Sequence, residues 1–107
     1  QDLVRRVIRS GENHGEPFWE LPLVEEYKES LKTPYADLNN IAAGGLAGAI
    51  TAGLFLREFV PNGAAWAHLD IAGPMFKDKE WKYFDAGAIG FGVKTLVDLC
   101  ERFRVVR

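Results

Sequence analysis

The sequence predicts an α/β fold with about four helices and one or two strands. Apolar residues recur at helical spacing near both ends of the chain, and an uncharged helical run occupies its middle. Between that run and the last helix lies a short apolar segment bounded by turn residues. A helix that leads into a strand, with a further helix to come, is typical of a helix layer on a sheet rather than a helical bundle.

Composition and charge define the broad class of protein. The 107 residues suffice for one core, either a small domain or part of a larger one. Apolar residues make up 48% and charged residues 26%, which indicates a folded chain. The net charge of -2 gives no general attraction to nucleic acid or to an anionic membrane. A single cysteine excludes an internal disulfide and favours a reducing compartment such as the cytoplasm.

The start of the chain has no initiator Met and no signal-peptide pattern, so we interpret it as part of a longer polypeptide.

The first predicted helix covers residues 2 to about 10. Four apolar residues recur at helical spacing, namely Leu3, Val4, Val7 and Ile8. Three arginines fill the remaining arc and are interpreted as a solvated face rather than a phosphate site, namely Arg5, Arg6 and Arg9. We expect three residues to end this helix, namely Gly11, Asn13 and Gly15.

Two further segments precede the central run. "EPFWELPL" predicts an extended connection pinned by Phe18 and Trp19, and "VEEYKESLK" predicts a short helix. After Pro34, residues 35–41 predict a brief strand or a turn. In the central helix no side chain from 46 to 56 is charged, which predicts burial on nearly every side.

Glycines in the central helix indicate close packing. Gly48 and Gly53 each weaken a helix by roughly 1 kcal/mol relative to Ala, so we expect another backbone to pass close to them. The last helix is predicted to pack through an apolar stripe, namely Val93, Leu96, Val97, Cys100 and Phe103. A strand is predicted over 66–71 and a long loop over 74–90.

His68 and Asp70 are the first candidates for chemistry. Two residues apart on a strand, they would share a face and could bind a metal or form part of a relay. A metal site needs three or four ligands, and the other histidine, His14, is far away in the sequence. We therefore favour a structural role for both, as buried polar groups satisfied by their neighbours.

Other motifs are also interpreted as structural. Two glycine sets lack the residues of a phosphate-binding loop and predict tight turns and close packing, namely Gly44, Gly45 and Gly48, and Gly87, Gly90 and Gly92. Cys100 is interpreted as a small core residue rather than a nucleophile. The tryptophans could form a carbohydrate or peptide platform, but we favour anchors in a core or interface, namely Trp19, Trp66 and Trp81. The residues alone complete no catalytic constellation.

Five motifs, in order, resemble a known family: "GEPFWELPLVEEY", "LKTPYADLNN", "AGAITAGLFLREFV", "WAHLDIAGP" and "GFGVKTLVDL". They look like the C-terminal part of the catalytic domain of the leucyl aminopeptidases, the cytosolic metalloaminopeptidases. Each motif alone is weak, but together they cover nearly the whole chain. The resemblance implies the C-terminal portion of a helix-flanked mixed sheet, in a cytoplasmic homohexamer that removes N-terminal residues from peptides. It implies no nucleic-acid or membrane partner.

The resemblance also implies two divalent metal ions, zinc or manganese. The family holds them in a segment containing Asn-Thr-Asp-Ala-Glu-Gly-Arg-Leu and in a stretch before it, and neither occurs in these residues. No catalytic residue or metal ligand can therefore be assigned here, and the 107-residue chain alone is predicted to be inactive. The alternative is a non-catalytic α/β binding or assembly module.

One substrate-binding segment can be carried over from the family. The loop after "HLDIAG" lines the pocket for the substrate's first side chain, so Ala72 and Met75 would form an apolar wall suited to leucine-like residues. His68 and Asp70 would then lie on the supporting strand, outside the metal shell. Glu20 and Ile89 stand where the family usually has Arg and Thr, and "AAGGLAG" also departs from its pattern, so the local loop geometry is expected to differ.

Overall fold

The computed structural model describes residues 2–45, 47–80 and 82–103. In chain order its elements are α1 (Asp2–Asn13), a 3₁₀ helix (Glu25–Leu31), α2 (Gly48–Arg57), β1 (Phe76–Lys77), β2 (Gly87–Ala88) and α3 (Val93–Arg102). The predicted α/β class is confirmed. Within these ranges no helix has both the length and the apolar character that a membrane span requires.

The chain divides into two compact units. The first unit combines the N-terminal residues up to Trp19 with the chain from Leu69 onward, and the second is Glu20–His68. The first unit contains α1, α3 and the antiparallel pair β1 and β2, in which Phe76 lies opposite Ala88. The second unit contains the 3₁₀ helix and α2.

In the first unit, the buried residues of α1 and α3 are mostly small or polar, and Val7 is the apolar exception. The buried residues are Val7, Ser10 and Gly11 on α1, and Thr95 and Asp98 on α3. The predicted apolar stripe of α3 instead faces outward, with exposed fractions of 59% for Val93, 48% for Leu96, 54% for Val97 and 50% for Phe103. The prediction that this stripe packs is wrong for this chain, because hydrogen-bonded polar groups form the contact with α1 instead.

Gly11 lies inside α1, whereas the sequence predicted that it would help to end the helix. A Cβ at this position would lie 2.6 Å from Cδ2 of Phe18 and would also collide with the carbonyl oxygen of Glu16. The helix continues to Asn13, and Gly15 then takes a left-handed φ of 70° in the turn. Gly11 therefore allows the chain that follows α1 to fold back against it.

In the second unit, the core is apolar. Leu31 and Leu54 are each 0% exposed, and Thr51 and Gly53 are also buried on α2. The prediction that α2 is buried on nearly every side is wrong within this unit, since Leu56 is 43% exposed. Within this unit the 3₁₀ helix packs on α2, and Leu23 and His68 approach it at Gly53, but Leu56 stays partly exposed.

The glycines of α2 differ in their surroundings. A Cβ at Gly53 would lie 3.1 Å from Cδ2 of Leu23 and 3.7 Å from Cδ2 of His68, so side chains rather than a backbone approach it. Gly48 has open space at the same position. The predicted approach of another backbone is therefore wrong at both positions among the described residues: side chains approach Gly53, and nothing approaches Gly48.

The strands lie where the sequence predicted a loop. Residues 64–70 form no strand within the described chain, and β1 and β2 occupy part of the predicted loop over 74–90. A strand is stabilised by a hydrogen-bonded neighbour, and the described residues offer none to 66–71. Residues 35–41 form bends and irregular chain, as one of the two predicted alternatives, and Asn39 N–H donates to Leu31 O at 2.7 Å.

Candidate functional site

The segment from Asp70 to Met75 forms a turn held by its own side chain and backbone. Oδ1 of Asp70 accepts a hydrogen bond from Ala72 N–H at 3.1 Å. Met75 N–H donates to Ile71 O, also at 3.1 Å. An aspartate that caps the backbone two residues ahead is a common way to fix a tight turn. Asp70 therefore acts here as a turn-forming residue; the predicted structural role holds, but the predicted burial is wrong, because Asp70 is exposed.

Both predicted substrate-binding residues lie on this turn. Ala72 is exposed, and Met75 is 47% exposed. The backbone of Met75 is held on both sides, because its carbonyl oxygen also accepts a hydrogen bond from Ile89 N–H at 3.0 Å. The turn therefore presents an apolar, polarisable side chain from a fixed backbone, which suits contact with another apolar group.

His68 lies beside the Trp66 ring and Gly53 of α2. Its ring stacks on Trp66 with centroids 6.5 Å apart and an interplanar angle of 15°. Its Cδ2 also lies 3.7 Å from the position of a Cβ at Gly53. These contacts make His68 a packing group against α2. No cluster of three or more His, Cys, Asp or Glu residues suited to a metal ion occurs in the described parts of the chain.

Glu16 is a buried carboxylate that the sequence did not single out. Its Oε2 accepts hydrogen bonds from Thr95 N–H at 2.9 Å and from the Thr95 hydroxyl at 2.7 Å. Burial raises the pKa of Glu16, but hydrogen bonds from Thr95 and from the Gly92 backbone, with the charge of Lys94, outweigh it, so the pKa lies below its ordinary value. Glu16 is therefore an anion that closes the N-terminus of α3.

Asp98 is a second buried carboxylate in the same unit. Its Oδ1 lies 3.2 Å from Nε2 of His14 and accepts a hydrogen bond from Nε of Arg102 at 2.7 Å. The Ser10 hydroxyl has the largest effect on the pKa of Asp98 and lowers it; burial opposes this, and His14 and Arg102 lower the pKa further. Asp98 was not singled out from the sequence, because the pattern rule assigns the apolar stripe of α3, rather than its polar residues, to the interior.

The remaining candidates have mixed outcomes. Gly44 and Gly45 have φ values of 86° and 64°, as predicted for tight turns. Cys100 is exposed, so the core position predicted for it is wrong within this chain. Trp19 is 90% exposed, which excludes the core alternative predicted for it and leaves the interface alternative as a prediction. Trp81 lies outside the described residues. The arginine face of α1 is solvated as predicted, with Arg5 and Arg9 exposed, and Arg6 pairs with Asp2 at 2.9 Å.

Comparisons with known proteins give a consistent family. Residues 1–97 match the family model described as the cytosol aminopeptidase family, catalytic domain. The chain is 50% identical over 99 residues to a probable cytosol aminopeptidase of Synechococcus elongatus, covering 91% of this chain and 20% of that protein. It is 48% identical over 102 residues to a probable cytosol aminopeptidase of Prochlorococcus marinus, covering 94% and 20%.

Solved structures give the same result. A tomato leucine aminopeptidase mutant has a TM-score of 0.83 at 42% identity, over 95% of this chain and 19% of that one. The cytosol aminopeptidase from Coxiella burnetii has a TM-score of 0.83 at 33% identity, over 97% of this chain and 23% of that one. The chain thus spans about a fifth of the length of the curated relatives it matches, at 20% of each.

Proposed function

Because the chain belongs to the cytosol aminopeptidase family, we propose that it is one part of a metal-dependent aminopeptidase that releases leucine-like residues from the N-termini of peptides. In this proposal Ala72 and Met75 form one wall of the pocket for the first side chain of the substrate. The observation that carries it is the exposure of both residues on a turn whose backbone is fixed by hydrogen bonds. A homohexamer in the cytoplasm belongs to the same proposal.

The described residues do not fit a metal centre. No three potential ligands among them come together, and Asp70 already uses Oδ1 to cap its turn. We therefore place the two zinc or manganese ions in chain outside these residues. When bound, such ions supply the activated water and polarise the scissile carbonyl. The 107-residue chain by itself is then expected to be inactive.

Each residue of the turn has a separate task in this proposal. Met75 gives dispersion contacts to a branched aliphatic side chain and excludes water from it, since its thioether is polarisable and flexible. Ala72 has a small side chain, which leaves room for the substrate group. Asp70 keeps both residues in register by holding Ala72 N–H. None of the three takes part in bond cleavage.

A specificity measurement tests the pocket wall. In the longest natural polypeptide that contains these residues, we expect Met75→Ala to lower kcat/KM for a leucyl substrate about tenfold relative to an alanyl substrate, the size expected for lost apolar contact in a pocket. Leu56→Ala is the matched control, because Leu56 is exposed to a similar degree, 43% against 47% for Met75. Equal losses for the two substrates in Met75→Ala would contradict the proposal.

A second experiment tests where the catalytic groups lie. The purified 107-residue chain, incubated with zinc or manganese and a leucyl peptide, is expected to release no leucine above the level seen with chelator. Metal-dependent release of leucine by this chain alone would contradict the proposal that its metal ligands lie elsewhere.

A further inference from the structure

We propose that Glu16 is a positioning residue for substrate specificity, because its buried carboxylate fixes the loop that holds Met75. The inference rests on the proposed role of Met75 as a pocket wall. Glu16 lies outside the turn itself and acts through three linked contacts: one at the end of α1, one at the start of α3, and one between Ile89 and Met75.

The first link consists of the contacts that hold the Glu16 segment in place. Its N–H donates to Gly11 O at 2.9 Å, so the backbone of Glu16 is tied to α1. Two residues later, Phe18 packs against Phe91 with ring centroids 5.2 Å apart at 57°. The segment that carries the carboxylate is thus held against both α1 and the residue just before Gly92.

The second link is the N-terminus of α3. The first N–H groups of a helix have no partner within the helix, and a carboxylate there accepts their hydrogen bonds and interacts favourably with the helix dipole. This acceptor is usually a neighbouring side chain, but here it comes from 79 residues away, as Oε2 of Glu16 on Thr95. The carboxylate is buried, since Glu16 is 8% exposed. The cap is therefore a long-range tie between α1 and the start of α3.

The third link joins α3 to the turn. Val93 N–H donates to Gly90 O at 3.1 Å, and Ile89 N–H donates to Met75 O at 3.0 Å. Gly90 and Gly92 have left-handed φ values of 68° and 91°, so the connection is a tight turn with little slack. A displacement of the first turn of α3 would consequently be transmitted to Ile89 and from there to the backbone of Met75.

A second tie separates this role from general stability. Asp98, one turn further along α3, contacts His14 and Arg102 through Oδ1, and neither contact involves Glu16. Loss of the Glu16 charge is therefore expected to loosen the start of α3 while the helix pair stays together.

The test is Glu16→Gln in the longest natural polypeptide, which keeps the shape and removes the charge. We expect the ratio of leucyl to alanyl kcat/KM to fall about threefold to tenfold, while kcat for the alanyl substrate stays within about twofold, since the catalytic groups lie elsewhere. Amide hydrogen exchange at Ile89 is expected to become faster. Glu12→Gln, which changes an exposed carboxylate on the same helix, is the matched control and should alter neither readout.

The Thr95 hydroxyl provides a graded version of the same experiment. Thr95→Val removes one donor to Glu16 and should shift the ratio in the same direction but by less, because the Thr95 N–H remains. Thr95→Ser retains the hydroxyl donor and should therefore keep the ratio of leucyl to alanyl kcat/KM at its unmutated value. In a Met75→Ala background, Glu16→Gln should change the ratio no further, since Glu16 acts through Met75.

The outcomes distinguish this inference from the proposed function. If Met75→Ala left the ratio of leucyl to alanyl kcat/KM unchanged, both the proposal that Met75 is a pocket wall and this inference would be overturned. A changed ratio in Met75→Ala together with an unchanged ratio in Glu16→Gln would overturn the positioning role alone. Equal loss of activity toward both substrates in Glu16→Gln, without faster exchange at Ile89, would also overturn it.

Discussion

The two helix pairs of this chain are built on opposite principles. In the first unit, α1 and α3 meet through buried polar groups, chiefly Ser10, Thr95 and Asp98, and the apolar stripe of α3 is exposed. In the second unit, Leu31 of the 3₁₀ helix and Leu54 of α2 are both fully buried, and the ion pairs that join the two segments, Lys28 with Glu58 and Arg57 with Glu25, are partly exposed. The same chain thus uses directional contacts in one unit and apolar packing in the other.

The two kinds of contact differ in how closely they fix the position of a helix. Apolar burial is roughly proportional to area and has no direction, so it stabilises α2 without fixing its position closely. Hydrogen bonds to a buried carboxylate require defined distances and angles, so they fix position more closely than they add stability. The polar pair, α1 and α3, is the one connected to the Met75 turn, which is the proposed pocket wall.

The largest expected effect is the loss of apolar packing in the second unit. Leu54→Ala is expected to lower the free energy of opening of α2 by about 2–5 kcal/mol, because it removes a fully buried side chain and leaves a cavity. Amide hydrogen exchange in the longest natural polypeptide measures this. Leu56→Ala, at the exposed position of the same helix, should cost clearly less, and equal losses would contradict an apolar core centred on Leu54.

A somewhat smaller effect is expected in the first unit. Gly11→Ala should destabilise α1 by about 1–3 kcal/mol, because the new methyl group meets the Phe18 ring and the Glu16 carbonyl. This outcome is opposite to helix propensity, which favours Ala over Gly by about 1 kcal/mol. Gly48→Ala is the control, since Gly48 has open space, and should not destabilise α2. A stabilising Gly11→Ala would contradict the close packing described for α1.

Lowering the pH should destabilise the first unit more than the second, because the first unit depends on ionised carboxylates. The pKa values of Glu16 and Asp98 are both lowered in the folded state, so each carboxylate stabilises the fold above the ordinary carboxyl pKa of about 4. That stabilisation is lost as the pH falls through the lowered folded-state pKa. The protection of α3 against hydrogen exchange, taken relative to the intrinsic exchange rate at each pH, should therefore fall below about pH 4 more steeply than that of α2, and less steeply in Glu16→Gln. Parallel pH dependence in α2 and α3 would contradict the comparison.

The smallest expected effect is at the surface of the second unit. Lys28 and Glu58 form an ion pair at 2.6 Å with both side chains partly exposed, and such pairs contribute about 0–1 kcal/mol. Lys28→Gln should therefore change the opening free energy of α2 by no more than about 1 kcal/mol, and less at high salt. If Lys28→Gln lowered the opening free energy of α2 as much as Leu54→Ala does, charge rather than apolar burial would hold the 3₁₀ helix and α2 together.

Much of the fold could be predicted from local sequence patterns. The helix expected over residues 2 to about 10 is observed as Asp2–Asn13, and the last helix begins at Val93 as expected. Periodicity could not identify the buried face of α3, because a pattern rule assigns the apolar side to the interior and Thr95 and Asp98 to solvent. It likewise predicted a strand over 66–71, whose formation depends on a hydrogen-bonded neighbour that the described chain does not provide.

The candidate site was only partly accessible from sequence. Ala72 and Met75 came from a family resemblance, and the structure adds the hydrogen bonds that fix their turn. Glu16 was missed because its partner, Thr95, lies 79 residues away, and helix caps are predicted from neighbouring residues. A contact of this kind depends on the packing of α1 against α3, which no local pattern encodes.

The most direct test is a crystal structure of the longest natural polypeptide with a tight-binding analogue of an N-terminal leucyl peptide. We predict that the leucyl side chain contacts Met75 and Ala72, with every metal ligand outside these 107 residues. A divalent ion bonded to His68 or Asp70, or a leucyl group that contacts neither Ala72 nor Met75, would contradict it.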